Sequence, residues 1–211
     1  MNRRFELIAL LGTSLCLAAC TGSLFQSKAA PPTIYVLSAA PGAADAAAEI
    51  PVDLAILKPR VHSGLETDRI AVLYPDRRLD YFADARWSGT LGEVLQDMAV
   101  QEFHRHAHLR TVSGDASVFA SAYWLEMEVA DFQAEYTPAG GPPIVNVHVL
   151  ARIGSSADRS ILGRFEAQVR QPAAENRLTA IVDAYARAAD AAFVEIAARA
   201  DDILARRSEA R

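Results

Sequence analysis

Residues 123–129, Tyr-Trp-Leu-Glu-Met-Glu-Val, put apolar side chains at odd positions and Glu126 and Glu128 at even ones. That two-residue period is the pattern of a half-buried strand. The period then slips, since Asp131 falls on the apolar side and Phe132 on the polar one. One inserted residue near Ala130 and Asp131, a β-bulge, restores the register at the cost of a local bend. Residues 136–143, with Pro138, Gly140, Gly141, Pro142 and Pro143, predict a turn that neither helix nor strand tolerates. Val145, Val147, Val149, Ala151 and Ile153 then share one face against Asn146, His148 and Arg152. Gly163, Phe165, Ala167 and Val169 do likewise against Arg164, Glu166, Gln168 and Arg170. Three consecutive strands joined by short polar turns are expected to pair antiparallel.

Upstream, residues 52–57 read as a strand ended by Lys58-Pro59, and residues 69–74 as one ended by Pro75-Asp76. The second is apolar on both faces, as a central strand would be. Residues 79–82 supply a short hairpin partner. A helix begins after Thr90, whose spacing to Glu93 is that of a capping box. Leu91, Val94, Leu95, Met98 and Glu102 fall on its stripe, bordered by Phe103, and it runs to about His106. Trp87, just ahead of the cap, is placed to pack onto the sheet. From Asn176 onward a long helical stripe of mostly small residues permits close approach, with Asp183 to Arg187 and Glu195 to Arg199 as i,i+4 pairs on the wet side. Its last part, residues 201–211, exceeds what one sheet face needs and is expected to project or fray. These elements predict an α+β fold: a single mixed or antiparallel β-sheet with two main α-helices packed on it.

The N-terminus has a different character. Arg3 and Arg4 precede an apolar run over residues 7–17, which ends in Leu17-Ala18-Ala19-Cys20. A basic start, an apolar middle and small residues before the cut make a secretory signal, and the cysteine directly after them makes it a lipobox. A run of about a dozen apolar residues is short of the roughly 20 that span a bilayer. Cys20 is therefore the expected lipidation site. At about 0.8 kcal/mol per buried methylene, two or three acyl chains hold a protein on a membrane. Thr21, where Asp would favour retention in the inner membrane, directs the reading to the outer membrane, facing the periplasm. Residues 21–51 are rich in Ala, Pro and Gly and lose periodicity except at 33–37. The expected division is a signal peptide over 1–19, a lipidated tether with a short strand and an Ala-rich loop over 20–50, and a folded domain over 51–211.

Composition narrows the chemistry. The net charge is −5 with no basic cluster, which argues against nucleic acid and against non-specific adhesion to anionic lipid. Cys16 lies in the segment to be removed and acylation consumes Cys20, so neither a thiolate nucleophile nor a disulfide is expected. Ser113, Ser117, Ser121 and Ser155 lack a nucleophile-elbow context, and no glycine pattern resembles a phosphate loop. A non-catalytic protein without a cofactor is the expectation. His104, His106 and His108 are the one metal-like feature, since His104 and His108 would stand a turn apart on a continued helix. With no third ligand evident, no metal is expected, and imidazoles near a helix C-terminus suit its dipole. Asp76, Asp80 and Asp84 read as a solvated loop. Glu126 and Glu128 read as a solvated face that could also help select a partner.

Residues 32–37 after a lipobox, then 65–73 (Leu-Glu-Thr-Asp-Arg-Ile-Ala-Val-Leu), then 79–87 (Leu-Asp-Tyr-Phe-Ala-Asp-Ala-Arg-Trp), resemble the ABC-type transport auxiliary lipoprotein family, whose familiar member is paraquat-inducible protein C. The similarity runs in order over nearly the whole mature chain, so the family domain would begin near residue 32. The Ala-rich stretch over 41–49 departs from it. The resemblance implies an accessory subunit of an envelope transporter with an ATPase, a permease and an MCE-domain (mammalian cell entry) protein, moving lipids or other hydrophobic molecules between inner and outer membranes. It further implies contact with the MCE-domain protein, a homo-oligomer being one geometry that suits it. Arg69, Asp80, Tyr81, Arg86 and Trp87 would then serve partner or oligomer contact. The blander reading makes them a folding signature, with Arg69 at a strand start and Trp87 as a core plug. Rival functions are a periplasmic lipid carrier, whose cavity the small-residue stripe could line, and a purely structural envelope lipoprotein.

Overall fold

The alternating run at 123–135 forms the spine of the sheet. The computed structural model describes residues 31–38, 49–114 and 121–209. The signal-like segment, Cys20, the tether up to residue 30 and the Ala-rich stretch over 39–48 lie outside the described residues. In chain order the elements are β1 (Thr33–Tyr35), β2 (Ile50–Ile56), β3 (Arg60–Val61), β4 (Arg69–Leu73), β5 (Leu79–Trp87), α1 (Leu91–His106), β6 (Leu109–Gly114), β7 (Tyr123–Glu135), β8 (Ile144–Ser155), β9 (Ile161–Pro172) and α2 (Leu178–Glu209).

β7, β8 and β9 pair antiparallel as a meander, Tyr123 opposite Ser155 and Val149 opposite Ala167. The register slips between Val129 and Asp131, where the change of period called for a bulge. The slip returns Phe132 to the core, where it is buried. The other edge of β7 receives three parallel partners in succession: β2, with Leu54 beside Tyr123; β3, with Arg60 beside Glu128; and β4, with Val72 beside Ala134. β6 extends the first arm in parallel beyond β2, while β5 and then β1 extend the other beyond β4. The sheet is thus mixed and forks along its spine. β5 runs further than the four-residue hairpin partner expected at 79–82. Asp84, in the left-handed region at φ 53°, lets the strand bulge and resume pairing, so that Arg86 still lies opposite Arg69.

α2 crosses β8, β9 and β2, and α1 packs on α2, β6 and β2. At the start of α1 the Glu93 carboxylate accepts the Thr90 amide at 3.2 Å, the reach-back half of a capping box. Ala184, Ala188, Ala189, Ala192, Ala197 and Ala200 are all fully buried, so the small-residue stripe of α2 is filled by the sheet and by α1. The expectation that residues 201–211 project or fray is corrected for 201–204. The helix continues to Glu209 and stays packed to Leu204, which is completely buried, while Ile203 rests on Gly163 of β9, where a Cβ would stand 2.6 Å from its Cδ1; beyond Leu204 the last turn projects, with Arg206, Arg207 and Glu209 exposed. Among the described residues no helix is long and apolar enough to cross a membrane.

Candidate functional site

β4 and β5 bring the residues of the 69–87 block together and then divide them between two faces. Trp87 turns inward, edge-on to Tyr185 at 5.3 Å and to Phe132 at 6.1 Å between ring centroids. It is 2% exposed. Beside it the Tyr185 hydroxyl donates to the Ala71 carbonyl at 2.5 Å, which ties this arm of the sheet to α2. Burial also pushes the Tyr185 hydroxyl well above its ordinary pKa. The ring of Trp87 therefore meets the core, as a plug.

Arg69, Asp80, Tyr81 and Arg86 stay at the surface or half-buried. Arg69 and Arg86 are direct cross-strand neighbours, and Arg86 is in turn beside Ile34 of β1. Two like charges so placed need separate partners, and they have them. The Arg69 guanidinium lies over the Tyr81 ring, 4.0 Å from its centroid, a cation–π contact of about 0.5–1 kcal/mol at an exposed site. Arg86 Nη1 donates to both oxygens of Asp68, at 2.7 and 2.9 Å. The Tyr81 hydroxyl donates to the Gly64 carbonyl at 2.7 Å, holding the ring under Arg69. Asp80 accepts the Tyr81 amide at 2.8 Å and Arg78 Nη1 at 2.9 Å. At the edge of this row Ile34 and Val36 are 55% and 66% exposed. Arg, Tyr and exposed aliphatics in one row are the composition of a protein contact surface.

The histidines do not converge. His106 Nε2 lies 3.4 Å from Glu102 Oε2, His108 Nδ1 lies 3.0 Å from Asp201 Oδ2, and His104 is exposed. No group of His, Cys, Asp and Glu among the described residues is arranged to hold a metal ion. Sequence reasoning missed the carboxylates these rings serve. Glu102 is completely buried between α1 and α2, faces Asp190 of α2, and is also paired with Arg105 of its own helix. Burial and the neighbouring Asp190 push its carboxyl up to about 7, Arg105 opposing them. A Glu falling on the apolar stripe of α1 was the available signal.

The helix-free face of β7, β8 and β9 carries cross-strand ion pairs. Arg152 Nε donates to Glu126 at 2.8 Å, Arg60 reaches Glu126 at 3.1 Å and Glu128 at 3.5 Å, and Arg170 meets Glu135 at 2.8 Å. His148 stands between Asp131 and Glu166. Asn146, expected on this polar face, is there but buried under its neighbours and donates to Glu135 at 3.0 Å. Exposed pairs of this kind contribute about 0–1 kcal/mol each, so they keep the face soluble more than they hold the fold.

Three solved structures share this architecture. A crystal structure of a Xanthomonas campestris protein superposes with a TM-score of 0.74 at 20% identity, covering 84% of this chain and 99% of its own. A crystal structure of an uncharacterized protein gives 0.63 at 12% identity, covering 81% and 99%. A hypothetical protein from Chlamydia trachomatis gives 0.53 at 11%, covering 73% and 98%. At such identities the likeness is one of fold. No curated protein matches the sequence significantly. The family model for the ABC-type transport auxiliary lipoprotein component matches residues 35–197, from β1 through the Arg69 to Trp87 arm and the meander into α2. On that match over most of its length, this chain belongs to the ABC-type transport auxiliary lipoprotein family.

Proposed function

We propose that the protein is a non-catalytic accessory subunit of an MCE-type ABC transport system. Residues 1–19 are removed as a signal peptide, acyl chains on Cys20 anchor the product in the outer membrane, and the stretch from Cys20 to about residue 31 tethers a periplasmic domain that begins near residue 32. The domain docks the distal end of the MCE-domain assembly, so that lipids or other hydrophobic molecules pass between the two membranes. The observation that carries this reading is the row of Arg69, Tyr81, Arg86, Ile34 and Val36, a surface built for contact on a chain of the transport auxiliary family. Asp80 and Asp68 orient it, and Trp87 supports it from the core side. The lipid-carrier alternative loses its main support, since the small-residue stripe of α2 is packed against the sheet.

Crosslinking in cells followed by purification tests the proposal. The MCE-domain protein is expected to copurify with the wild type and to be lost with Arg69→Glu combined with Tyr81→Ala. Repeated absence of that partner from the wild-type preparation would overturn docking and leave a purely structural lipoprotein.

A further inference from the structure

β9 leaves the longest open strand edge of the sheet. It pairs with β8 on one side and, among the described residues, with no strand on the other. Such an edge offers a row of unpaired amides and carbonyls to another strand, and proteins blunt it with Pro, Lys or a bulge. β9 has its bulge at Leu162, where the register with β8 slips, and its proline at Pro172. Residues 163–171 between them carry neither Pro nor Lys.

Charge along this stretch has a pattern. Arg164, Glu166, Gln168 and Arg170 take the helix-free face, and Gly163, Phe165, Ala167 and Val169 the helix side. Arg170 is held by Glu135 at 2.8 Å, and Glu166 has His148 at 3.1 Å. Arg164 is exposed and makes no ion pair among the described residues. A second copy added antiparallel is related by a two-fold axis, and the position of that axis fixes which residues oppose each other. An axis through Arg164, Glu166 or Ala167 opposes like charges, namely Arg164 to itself, Glu166 to itself, or Arg164 to Arg170. An axis through Gln168 sets Glu166 against an Arg170 that Glu135 already holds, and leaves Arg164 opposite Pro172. An axis through Phe165 sets Arg164 opposite Glu166 twice, once in each direction, and gives the unmatched guanidinium its carboxylate.

The helix side of the strand agrees with that register. Gly163 meets Ala167, small against small, and the half-buried Phe165 rings meet at the axis as an aromatic cross-strand pair. Val169 of the second copy is carried toward an open hollow of about 310 Å³ lined by Leu162, Ile203, Arg206 and Arg207. The arginines of the two hollows stay apart, since the hollows lie at opposite ends of the pair, about 20 Å from each other.

We propose that a second copy of this chain pairs antiparallel along β9, about a two-fold axis at Phe165, and continues the sheet across a dimer. The pairing is independent of the docking reading, because β9 and the Arg69 arm lie on opposite sides of β7 and each copy keeps its arm free.

Sedimentation equilibrium of the full-length lipoprotein in density-matched detergent tests the pairing. At about 100 µM, enough to fill an interface of micromolar affinity, the wild type is expected at twice the chain mass. Glu166→Arg, at an exposed position, opposes Arg164 to an arginine and is expected to raise the dimer dissociation constant about tenfold or more. Arg164→Glu combined with Glu166→Arg exchanges the two charges and is expected to restore the dimer. On mild oxidation Phe165→Cys should give a disulfide-linked dimer, and Gln168→Cys, removed from the axis, should not. A monomeric wild type overturns the proposal, and binding of the MCE-domain protein by that monomer would leave docking standing alone. Self-association untouched by Glu166→Arg, a loss that the charge exchange does not repair, or linkage through Gln168→Cys in place of Phe165→Cys each overturns it as well.

Discussion

Asp201 Oδ2 accepts the His108 amide at 2.9 Å and lies 3.0 Å from His108 Nδ1, joining residues 93 positions apart. The contact closes the seam where α1 ends and β6 begins against the C-terminal half of α2. Asp201→Ala would leave the half-buried His108 amide without its acceptor. Removing one partner of such a bond costs about 1–3 kcal/mol, whereas Asp202→Ala at an exposed neighbouring position should stay within about 0.5 kcal/mol. Urea denaturation of the two variants checks the difference, and equal midpoints would show the seam to be unimportant.

The same interface makes stability depend on pH. In the folded protein the Glu102 carboxyl is pushed up to about 7 from an ordinary 4.5, by burial first and Asp190 next. The Asp201 carboxyl is raised as well, by burial, against its bonds to His108. A carboxyl that binds its proton more tightly when folded stabilises the fold fully below its unfolded pKa, and that contribution is lost as pH rises through the folded value. Stability should therefore fall between about pH 4.5 and 7, by an amount on the order of 2 kcal/mol. Glu102→Gln should flatten this part of the curve and leave the variant the more stable protein at pH 8. Thermal unfolding across pH 4–8 measures both, and parallel curves for the two proteins would contradict the assignment.

Ile203 and Gly163 set how closely α2 approaches β9. A Cβ at position 163 would stand 2.6 Å from Ile203 Cδ1, the flexible end of a side chain, and 3.7 Å from Ile153 Cγ2. Gly163→Ala should be absorbed by a turn of Ile203. Gly163→Val should cost about 1–3 kcal/mol by overpacking. The double variant Gly163→Val with Ile203→Ala should recover part of that cost, and a strictly additive cycle in denaturant would place the strain elsewhere.

What the amino-acid pattern encodes is which face a residue takes, and those parts of the fold were legible. The slip of period at Asp131, the capping spacing of Thr90 and Glu93, the 136–143 turn and the antiparallel meander all follow from local sequence. Periodicity carries no information on which distant strand lies alongside. Hence β6 went unrecognised, and so did the parallel contacts of β2, β3 and β4 with β7. The carboxylates beside the histidines are not legible for the same reason, because Asp190 and Asp201 reach them or their partners only after α2 folds back. In the contact row Arg69 and Tyr81 could be named individually. The pairing of Arg69 with Arg86 depends on the bulge at Asp84, which alternation alone does not reveal.

Trp87 and Tyr81 sit in one strand yet should fail differently when truncated. Trp87→Ala removes a ring that fills the space between Phe132 and Tyr185, and should cost about 3–5 kcal/mol with a matching loss of thermal stability. Tyr81→Ala removes a half-buried ring under Arg69 and its bond to the Gly64 carbonyl, which should cost about 1–2 kcal/mol and leave the fold intact. Under conditions where both variants are folded, only Tyr81→Ala should lower partner recovery in proportion to a lost contact. Equal stabilities for the two would remove the distinction between plug and contact.

The proposed anchor at Cys20 and the proposed contact surface are separated by a short stretch of chain. From Cys20 to Pro31 there are about a dozen residues, which fully extended reach no more than about 40 Å. The domain would thus be confined to a thin layer beside its membrane, where a transporter reaching across the periplasm would find it. Cys20→Ala should abolish acylation and release the protein into the soluble periplasmic fraction, while its urea midpoint stays that of the lipidated form. In cells lacking the native gene, the variant should fail to restore transport-dependent growth even when expressed at wild-type levels. Full complementation by a soluble form would mean that docking needs no confinement, and that the lipid serves only to keep the protein from being lost.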